Sequence, residues 1–362
     1  MKKIKNLNRS TLDGFVSYGV VIVGYVIMQI FLSGGNVTAS LRGQLVPICA
    51  YVVMAISLNL TVGVLGELSL GHAGFVSIGA FVGAVVCASL EASVPSGAVR
   101  LVIAMVVGAA VAGIAGVLIG IPVLRLKGDY LAIVTLAFGE IIKTIVTCLY
   151  VGKDANGLHV GFLTTISALG MGEGAKTIIN GPMGIAGIKK ISTFTMGFAL
   201  IMVSLFIVQN LVRSRSGRAI MALRDNRIAA ESVGIPITKY KLMAFVTSAA
   251  LAGAAGTLYA MNFSTIVATK FNFNTSILIL VFVVLGGLGN MWGSVIAATV
   301  LTVLPEMLRG FNDYRMLVYA VVLILVMLTT NNAKLKYTVE RVKNAIFKRP
   351  PADAAAEGGM SK

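Results

Sequence analysis

Apolar runs of about twenty residues recur along most of this sequence, and charged side chains are nearly absent from them. A run of that length crosses the hydrocarbon core of a bilayer as an α-helix. Water cannot satisfy backbone N–H and C=O groups there, so a spanning segment must be a helix or part of a closed β-barrel. Barrel strands alternate apolar and polar residues, whereas these runs are continuously apolar. The sequence therefore predicts an all-α, polytopic transmembrane bundle.

The composition agrees with a chain whose main solvent is lipid. Hydrophobic residues make up 57% of the sequence and charged residues only 12%, which is about half the charged fraction of an average soluble domain. The pattern predicts ten spans, at roughly 14–33, 44–66, 69–90, 98–124, 129–151, 191–212, 240–262, 273–289, 291–308 and 314–331.

The 30 Lys and Arg residues are divided unequally between the two sides of such a bundle. Twenty lie on the side that holds both termini and nine on the opposite side, with Lys143 inside a span. Cytoplasmic loops of membrane proteins are enriched in Lys and Arg. Both termini are therefore predicted to be cytoplasmic. The net charge of +16 is attributed to loops that face anionic lipid, and no nucleic-acid partner is expected.

The predicted transmembrane domain covers residues 1–332, and the polar tail 333–362 is predicted to be cytoplasmic and partly disordered. Two connections are longer than turns. One is the external segment 152–190, for which there are two alternatives: a lid or docking surface, and a disordered loop. The other is the cytoplasmic segment 213–239. Three cysteines lie within apolar runs without metal-ligand spacing and are predicted to be packed thiols: Cys49, Cys87 and Cys148.

The segment 213–241 alternates charge with small and apolar residues and is predicted to be helical but not membrane-spanning. Asp225 is predicted to cap a second short helix, Gly234 to supply a left-handed exit, and Pro236 to prevent continuation. The result would be a helix-turn-helix at the cytoplasmic surface, suited to lipid headgroups or to a groove on another protein. Its predicted apolar stripe consists of Ile220, Leu223 and Ile228.

Polar residues cluster among glycines in the block 59–81, a combination that is costly for a lipid-facing helix. The block predicts either a broken or re-entrant helix or a polar cluster at the cytoplasmic boundary. The ends of half-helices can hold the carboxylate and the ammonium of a zwitterion. The polar members of the block are Asn59, Thr61, Glu67, Ser69 and His72.

Glu140 and Lys143 lie three residues apart in the fifth span and can meet on one helical face. Two interpretations stay open, a neutralising structural pair and a gating or pathway role in which Thr135 lines the same route. Small residues at every fourth position predict close helix packing rather than cargo contacts. These stripes are Ala104, Gly108, Ala112, Gly116 and Gly120, and Ser248, Ala252, Gly256 and Ala260.

Several sequence blocks resemble those of the bacterial branched-chain amino-acid ABC-importer permeases of the Liv type, M-like subunit. Residues 217–260 are similar to the cytoplasmic loop and following span of that family, and the other blocks occur in the family's order between about 45 and 330. Glu67 departs from the neutral residue expected there. The other blocks are NLTVGVLGELSLGHAGFVSIGAF at 59–81, GDYLAIVTLAFGEIIK at 128–143, NGPMGI at 180–185 and VVLGGLGNMWGSVIAA at 283–298.

The resemblance implies a multi-pass permease of a bacterial inner or plasma membrane. It would pair with a homologous permease, rest on two ATPase subunits and receive cargo from an external binding protein. The chain lacks the phosphate-binding motif G-x-x-x-x-G-K-[ST], so ATP and Mg²⁺ are expected on the partner subunits, and no catalytic residue, cofactor or metal site is expected here. The loop resembling 217–234 would dock in a cleft of the ATPase. The predicted ATPase contacts are Arg218, Leu223, Asp225, Arg227, Glu231 and Gly234. The predicted substrate-pathway residues are Asn59, Ser69, His72, Thr135 and Glu140.

Branched-chain amino acids are the leading cargo, and urea, other amides and nucleosides are alternatives within the same class. From a different class, an ion-coupled secondary transporter would place acidic residues at the membrane centre, where only Glu140 and Glu67 are candidates. A membrane enzyme would need a nucleophile, paired carboxylates or metal-ligand spacing, and no such pattern is recognisable in the sequence.

Overall fold

The computed structural model describes residues 9–34, 39–126, 128–154, 157–163 and 176–308, with a few isolated residues between 314 and 324. The chain divides into two compact units, Met1–Val303 and Leu304–Lys362. Apart from the last residues of the final helix, every element below belongs to the first unit. The tail predicted at 333–362 lies outside the described residues, as does most of the span predicted at 314–331.

Most of the described chain is helical. Within the described residues, seven segments are long and apolar enough to cross a membrane, and two shorter apolar helical segments, Tyr18–Ser33 and Met291–Met307, accompany them. The polytopic helical bundle is therefore confirmed, whereas the count of ten spans stays a prediction. The helices are α1 Arg9–Ser33, α2 Ala39–Asn59, α3 His72–Ser89, α4 Gly97–Val123, α5 Asp129–Thr147, α6 Phe194–Arg213, α7 Arg215–Asp225, α8 Arg227–Ser232, α9 Ile237–Ala260, α10 Phe273–Gly286 and α11 Met291–Met307.

Helices α3, α4 and α9 pack most extensively against one another and form the centre of the bundle. A Cβ atom on Gly253 of α9 would overlap the Gly108 carbonyl and the Ala112 methyl of α4, and one on Gly256 would overlap the Val76 carbonyl of α3. Every member of the two small-residue stripes is buried. Their predicted role in close helix packing is thus confirmed, because only small side chains let these backbones approach.

The polar block at 59–81 is interrupted rather than being one helix. Helix α2 continues into a π-helix, Leu60–Leu65, which ends at Gly66 with φ +81°, and an irregular segment 66–71 precedes α3. Such π-helical turns are frequently found at functional sites. The helices on either side of the interruption are each long enough to span, so the polar residues lie at the junction of two spans, which agrees with the predicted alternative of a polar cluster at a boundary rather than with a break within one span.

A small antiparallel sheet lies at one end of the bundle, although the sequence pattern predicts no strand. Its order is β2-β1-β3-β4-β5, and Val151 pairs with both Val160 and Ile179. The first strand begins at Leu149, so the fifth span ends at Thr147 instead of reaching residue 151. The strands are β1 Leu149–Asp154, β2 Gly157–Phe162, β3 Lys176–Asn180, β4 Ile185–Ala186 and β5 Thr265–Ile266.

The two ends of the bundle differ in their connections. At the sheet end, Lys153 Nζ donates to the Ser89 carbonyl at the end of α3, at 2.7 Å. At the opposite end lie α7, α8 and a tight α10–α11 hairpin, in which Gly287 (φ +93°) and Gly289 (φ +80°) adopt backbone conformations that favour glycine. This second end is called the surface-helix end below.

Candidate functional site

Two short helices, α7 and α8, join α6 to α9, and each begins with a side-chain cap. The Ser214 hydroxyl accepts from Gly217 N at 3.0 Å, and the Asn226 amide oxygen accepts from Ala229 N at 3.0 Å. Asp225 is instead the last residue of α7 and pairs with Arg224 at 3.1 Å. The cap predicted at Asp225 is therefore wrong by one residue, because Asn226 has the extended backbone (φ −154°) that an N-cap requires.

The exit from α8 follows the predicted pattern. Gly234 adopts φ +83°, and its N–H donates to the Glu231 carbonyl at 3.0 Å. The next N–H, of Ile235, donates back to the Ala230 carbonyl at 3.1 Å, which closes a left-handed C-terminal cap. Helix α9 then begins directly after Pro236. The helix pair is thus closed at both ends by local hydrogen bonds.

The apolar side chains of the pair point in two directions. Ile220 is fully buried and Leu223 is 5% exposed, whereas Ile228 is 81% and Val233 75% exposed. The prediction of one stripe is wrong for Ile228, because the helix breaks at Asn226 and α8 leaves in a new direction. Ile228 and Val233 therefore lie exposed on the outer side of the pair.

The residues predicted to contact an ATPase differ in accessibility. Leu223 is buried, so a direct contact with a partner does not fit its position, and it supports α7 from beneath. Arg227 is half-buried. The exposed members of the set are Arg218, Asp225, Glu231 and Gly234.

Arg224, in the last turn of α7, connects the helix pair to the bundle. Its Nη1 atom donates to the Gly63 carbonyl of the π-helix at 2.8 Å, and its side chain lies over Gly66. A side chain on Gly66 would collide with that arginine. Arg224 is not among the predicted site residues, because its contact with a backbone carbonyl 161 residues away leaves no pattern in the sequence.

A second cation reaches the same segment from the other flank of the pair. Lys241, near the start of α9, forms an ion pair with Glu67, and the two side chains are only 4% and 15% exposed. The charge of Glu67, unexpected for the family, is thereby neutralised. Arg224 of α7 and Lys241 of α9 therefore both hold the segment 63–67.

Asn59 extends this network to the α10–α11 hairpin. Its amide nitrogen donates to the Asn290 carbonyl at 3.1 Å and to the Ser294 hydroxyl at 2.9 Å. Its amide oxygen accepts from Gly289 N at 2.8 Å. The predicted pathway residue Asn59 is thus fully engaged and ties two helix ends together.

Buried hydrogen bonds also anchor the start of α3. His72 Nε2 lies 2.8 Å from the Ser57 hydroxyl, which itself donates to the Met54 carbonyl at 2.8 Å, so the histidine N–H is the donor in the pair. The Thr135 hydroxyl of α5 accepts from Leu70 N at 3.1 Å. Ser69 is 1% exposed, and its hydroxyl has no partner among the described atoms.

Glu140 lies apart from the other four predicted pathway residues, although it borders the same region. It is further along α5 than Thr135, and a small gap separates it from Leu70 and Ala73. Glu140 and Lys143 form the expected ion pair on one face of α5. The structure thus brings Asn59, Ser69, His72 and Thr135 around the interruption and leaves Glu140 on the exposed side of α5.

The chain thus combines apolar spanning helices, a buried polar interruption between two of them, and a capped surface helix pair that is tied to this interruption. These features define a membrane transport subunit. The chain belongs to the family described as "branched-chain amino acid transport system / permease component", whose family model matches residues 40–327.

Its relatives include the high-affinity branched-chain amino acid transport system permease proteins LivM of Salmonella typhimurium and Escherichia coli. They are 36% and 34% identical over 301 residues, which is 81% of this chain and 69% of each relative. A shorter match, 29% identical over 104 residues, covers 27% of this chain and 31% of the fructose import permease protein FruG of Bifidobacterium longum. No solved structure matches the chain significantly.

Proposed function

We propose that this chain is the permease subunit of an ATP-binding-cassette importer that moves branched-chain amino acids into the cell. Family membership over most of the chain and the names of the two LivM relatives support the cargo. The observation that supports the mechanism is the attachment of α7, through Arg224, and of the start of α9, through Lys241, to the polar interruption. A rigid surface element fixed to the bundle in this way can transmit force.

The partners in this proposal are a homologous permease, two ATPase subunits that hold ATP and Mg²⁺, and an external binding protein. The docking surface for the ATPase is the exposed side of α7–α8. Ile228 and Val233 supply its apolar centre, and Arg218, Asp225 and Glu231 supply a polar rim. An apolar core within a polar rim is the usual anatomy of a protein interface.

The movement of the ATPase subunits reaches the bundle through the contacts of Arg224, Lys241 and Asn59. A displacement of α7–α8 pulls on Gly63 through Arg224, and it moves the start of α9, which pulls on Glu67 through Lys241. Asn59 passes the same displacement to the α10–α11 hairpin. The π-helix lies between these attachment points, and π-helical turns inside α-helices occur frequently at functional sites. It is therefore the hinge in this mechanism.

The predicted pathway residues take two roles. The side chains of Asn59, His72 and Thr135 are engaged in internal hydrogen bonds, so we assign them to shaping the interruption. Glu140 keeps a partly exposed carboxylate and is assigned to the transport pathway.

Reconstitution tests the proposal. The chain is purified with its co-expressed partners and placed in proteoliposomes, and leucine uptake is measured with a loaded binding protein. Uptake that depends on ATP on the ATPase side is expected. Uptake driven by a proton or sodium gradient alone would instead support a secondary transporter. The match to a fructose permease motivates one competitor: excess fructose should leave leucine uptake unchanged.

A further inference from the structure

Helix α5 carries an ion pair where a lipid-facing helix would be apolar. Glu140 is the twelfth of its nineteen residues, about 16 Å from its first residue at 1.5 Å per residue. The side chains of Glu140 and Lys143 are 41% and 26% exposed. Exposed charge at that depth is unfavourable in lipid, even for a pair. This face is therefore expected to border protein or water in the assembled transporter.

The rest of the same face is apolar and uncovered by the described chain. Tyr130, Ile133, Ile141 and Ile145 are between 42% and 71% exposed and recur at helical spacing. The opposite side of α5 packs on α3, where Gly74 lies close to Gly139. Helix α5 thus presents a long apolar surface with Glu140 at its edge, and Lys143, which pairs with Glu140, lies one turn after Gly139 and nearer the packed side.

A groove of about 300 Å³ follows this surface from the ion pair to the sheet end. That volume is at the lower end of the range for small-molecule sites. Glu140 lies at one end of the groove, and its walls are mostly apolar side chains of α5 and β2. The lining residues are Glu140, Ile141, Thr144, Ile145, Cys148 and Phe162.

We propose that this groove is a transient binding site for a zwitterionic aliphatic amino acid on its way through the permease. The Glu140 carboxylate takes the α-ammonium, the Lys143 ammonium takes the α-carboxylate, and Ile141, Ile145 and Phe162 contact the aliphatic side chain. The homologous permease closes the open side of the groove. This inference rests on the proposed function and names the residues that would recognise its cargo.

Charge balance explains why a pair suits this task. While the groove is empty, the two side chains neutralise each other. A zwitterion then replaces one internal ion pair by two intermolecular ones, so no charge is left unpaired inside the membrane. A cation or anion alone would leave one of the two side chains without a partner. The site therefore discriminates against amines and carboxylic acids of the same shape.

Charge reversal distinguishes a binding site from a structural pair. The double variant E140K/K143E keeps an ion pair at the same helical spacing but exchanges the two charges, so a bound amino acid would turn its side chain away from Ile141 and Ile145. Leucine uptake should fall about tenfold or more in this variant and in K143Q, because charged hydrogen bonds are lost. ATPase activity stimulated by the loaded binding protein should stay within about twofold of wild type, because the α7–α8 network is untouched.

The matched control is K189Q. It removes the cation of the Lys189–Glu91 ion pair at the sheet end, outside the groove, and should leave uptake unchanged. Recovery of an assembled complex in detergent shows that each variant folds. Wild-type uptake in E140K/K143E would overturn the proposal, because a purely neutralising pair tolerates reversal.

A second measurement does not depend on transport. Cys148 lies at the sheet end of the groove and is half-buried, whereas Cys49 and Cys87 are buried. In a Cys49→Ala/Cys87→Ala background with cysteine-free partners, leucine should slow labelling of Cys148 by a water-soluble maleimide, and E140K/K143E should abolish this protection. Absence of labelling or of protection in the unswapped background overturns the site. If wild-type complex does not import leucine with ATP, the proposed function fails separately.

Discussion

At the scale of single residues, Arg224 is the most informative side chain of the surface-helix end. It lies on α7 but donates to a carbonyl of the π-helix, at the point where the spanning helix α2 loses its regular geometry. An arginine can satisfy such a carbonyl and still keep other donors for neighbouring groups. It therefore joins an exposed helix to a buried backbone without burying a second charge.

Replacement of Arg224 by alanine should separate ATP hydrolysis from transport. The Gly63 carbonyl would lose its partner, and the link between α7 and the π-helix would be lost with it. We expect leucine uptake to fall about tenfold, equivalent to about 1.4 kcal/mol, while ATPase activity persists. The measurement is the number of ATP molecules hydrolysed per leucine imported in proteoliposomes.

Arg215 provides the control for the loss of one positive charge. It is exposed in the first turn of the same helix. R215A should leave the ATP-to-leucine ratio near the wild-type value, and R224K should recover part of the coupling through its remaining donor. An unchanged ratio in R224A would show that the contact with Gly63 does not transmit the stroke.

Sequence reasoning at this scale succeeds where the cause is local. The left-handed exit at Gly234 and the Glu140–Lys143 pair both follow from spacing within one or two turns, and both are present. The cap falls on Asn226 instead of Asp225 because both residues suit an N-cap and only the backbone decides between them. The partners of Arg224, Lys241 and Asn59 depend on tertiary packing, which no local spacing reveals.

At the scale of elements, the exit from α8 sets the direction in which α9 enters the bundle. Gly234 has φ +83° and open space around its Cα, so a larger residue there is limited by backbone strain alone. G234V should strain the cap by about 1–2 kcal/mol and redirect α8 relative to α9. We expect an inserted, assembled complex with reduced uptake, measured beside its ATPase activity.

Gly187 is the matched control for this substitution, since it has φ +73°, is also free of neighbours within 4 Å, and lies near the sheet end. G187V should carry similar local strain without loss of coupling. The variant D225N tests the same surface by removing a negative charge without changing the size of the side chain. It should also leave the protein inserted while lowering uptake. Wild-type uptake in both G234V and D225N would count against docking at α7–α8.

The α4–α9 contact allows a stability test with an internal comparison. G253A would push its new methyl into Gly108 and Ala112, so the helices must separate, at a cost of about 1–3 kcal/mol. G113A on α4 meets only ordinary contacts, the nearest at 3.6 Å, and should be neutral or slightly stabilising. Thermal unfolding in detergent should show a lower midpoint for G253A alone.

The helices could be predicted from the sequence more completely than the sheet. A spanning helix satisfies its own backbone, so a continuous apolar run of sufficient length identifies it. The first half of strand β1, residues 149–151, continues the apolar run of α5, so the composition does not show where the helix ends and the strand begins. Its partner strands also lie in other segments, and β5 joins the sheet from beyond α9. Pairing over such distances has no local signature.

At the scale of the whole molecule, one end of the bundle contacts the ATPase subunits in the proposed importer, and the other end receives the amino acid. The segment that forms α7 and α8 and enters α9 carries seven Lys and Arg residues between Arg213 and Lys241. The β2 edge of the sheet end instead exposes apolar side chains, including Val160 and Phe162. The charge bias therefore favours the surface-helix end as the cytoplasmic one.

Single cysteines at the two ends test this orientation in intact cells. In a background with the three native cysteines replaced, S232C lies on exposed α8 and L158C on exposed β2. A membrane-impermeant maleimide should label L158C at once and S232C only after the cells are opened, because the charge bias places α8 inside. The reverse order would place the helix pair beyond the reach of a cytoplasmic ATPase. Docking and coupling through Arg224 would then both fail, whereas the Cys148 protection experiment would still test the groove on α5.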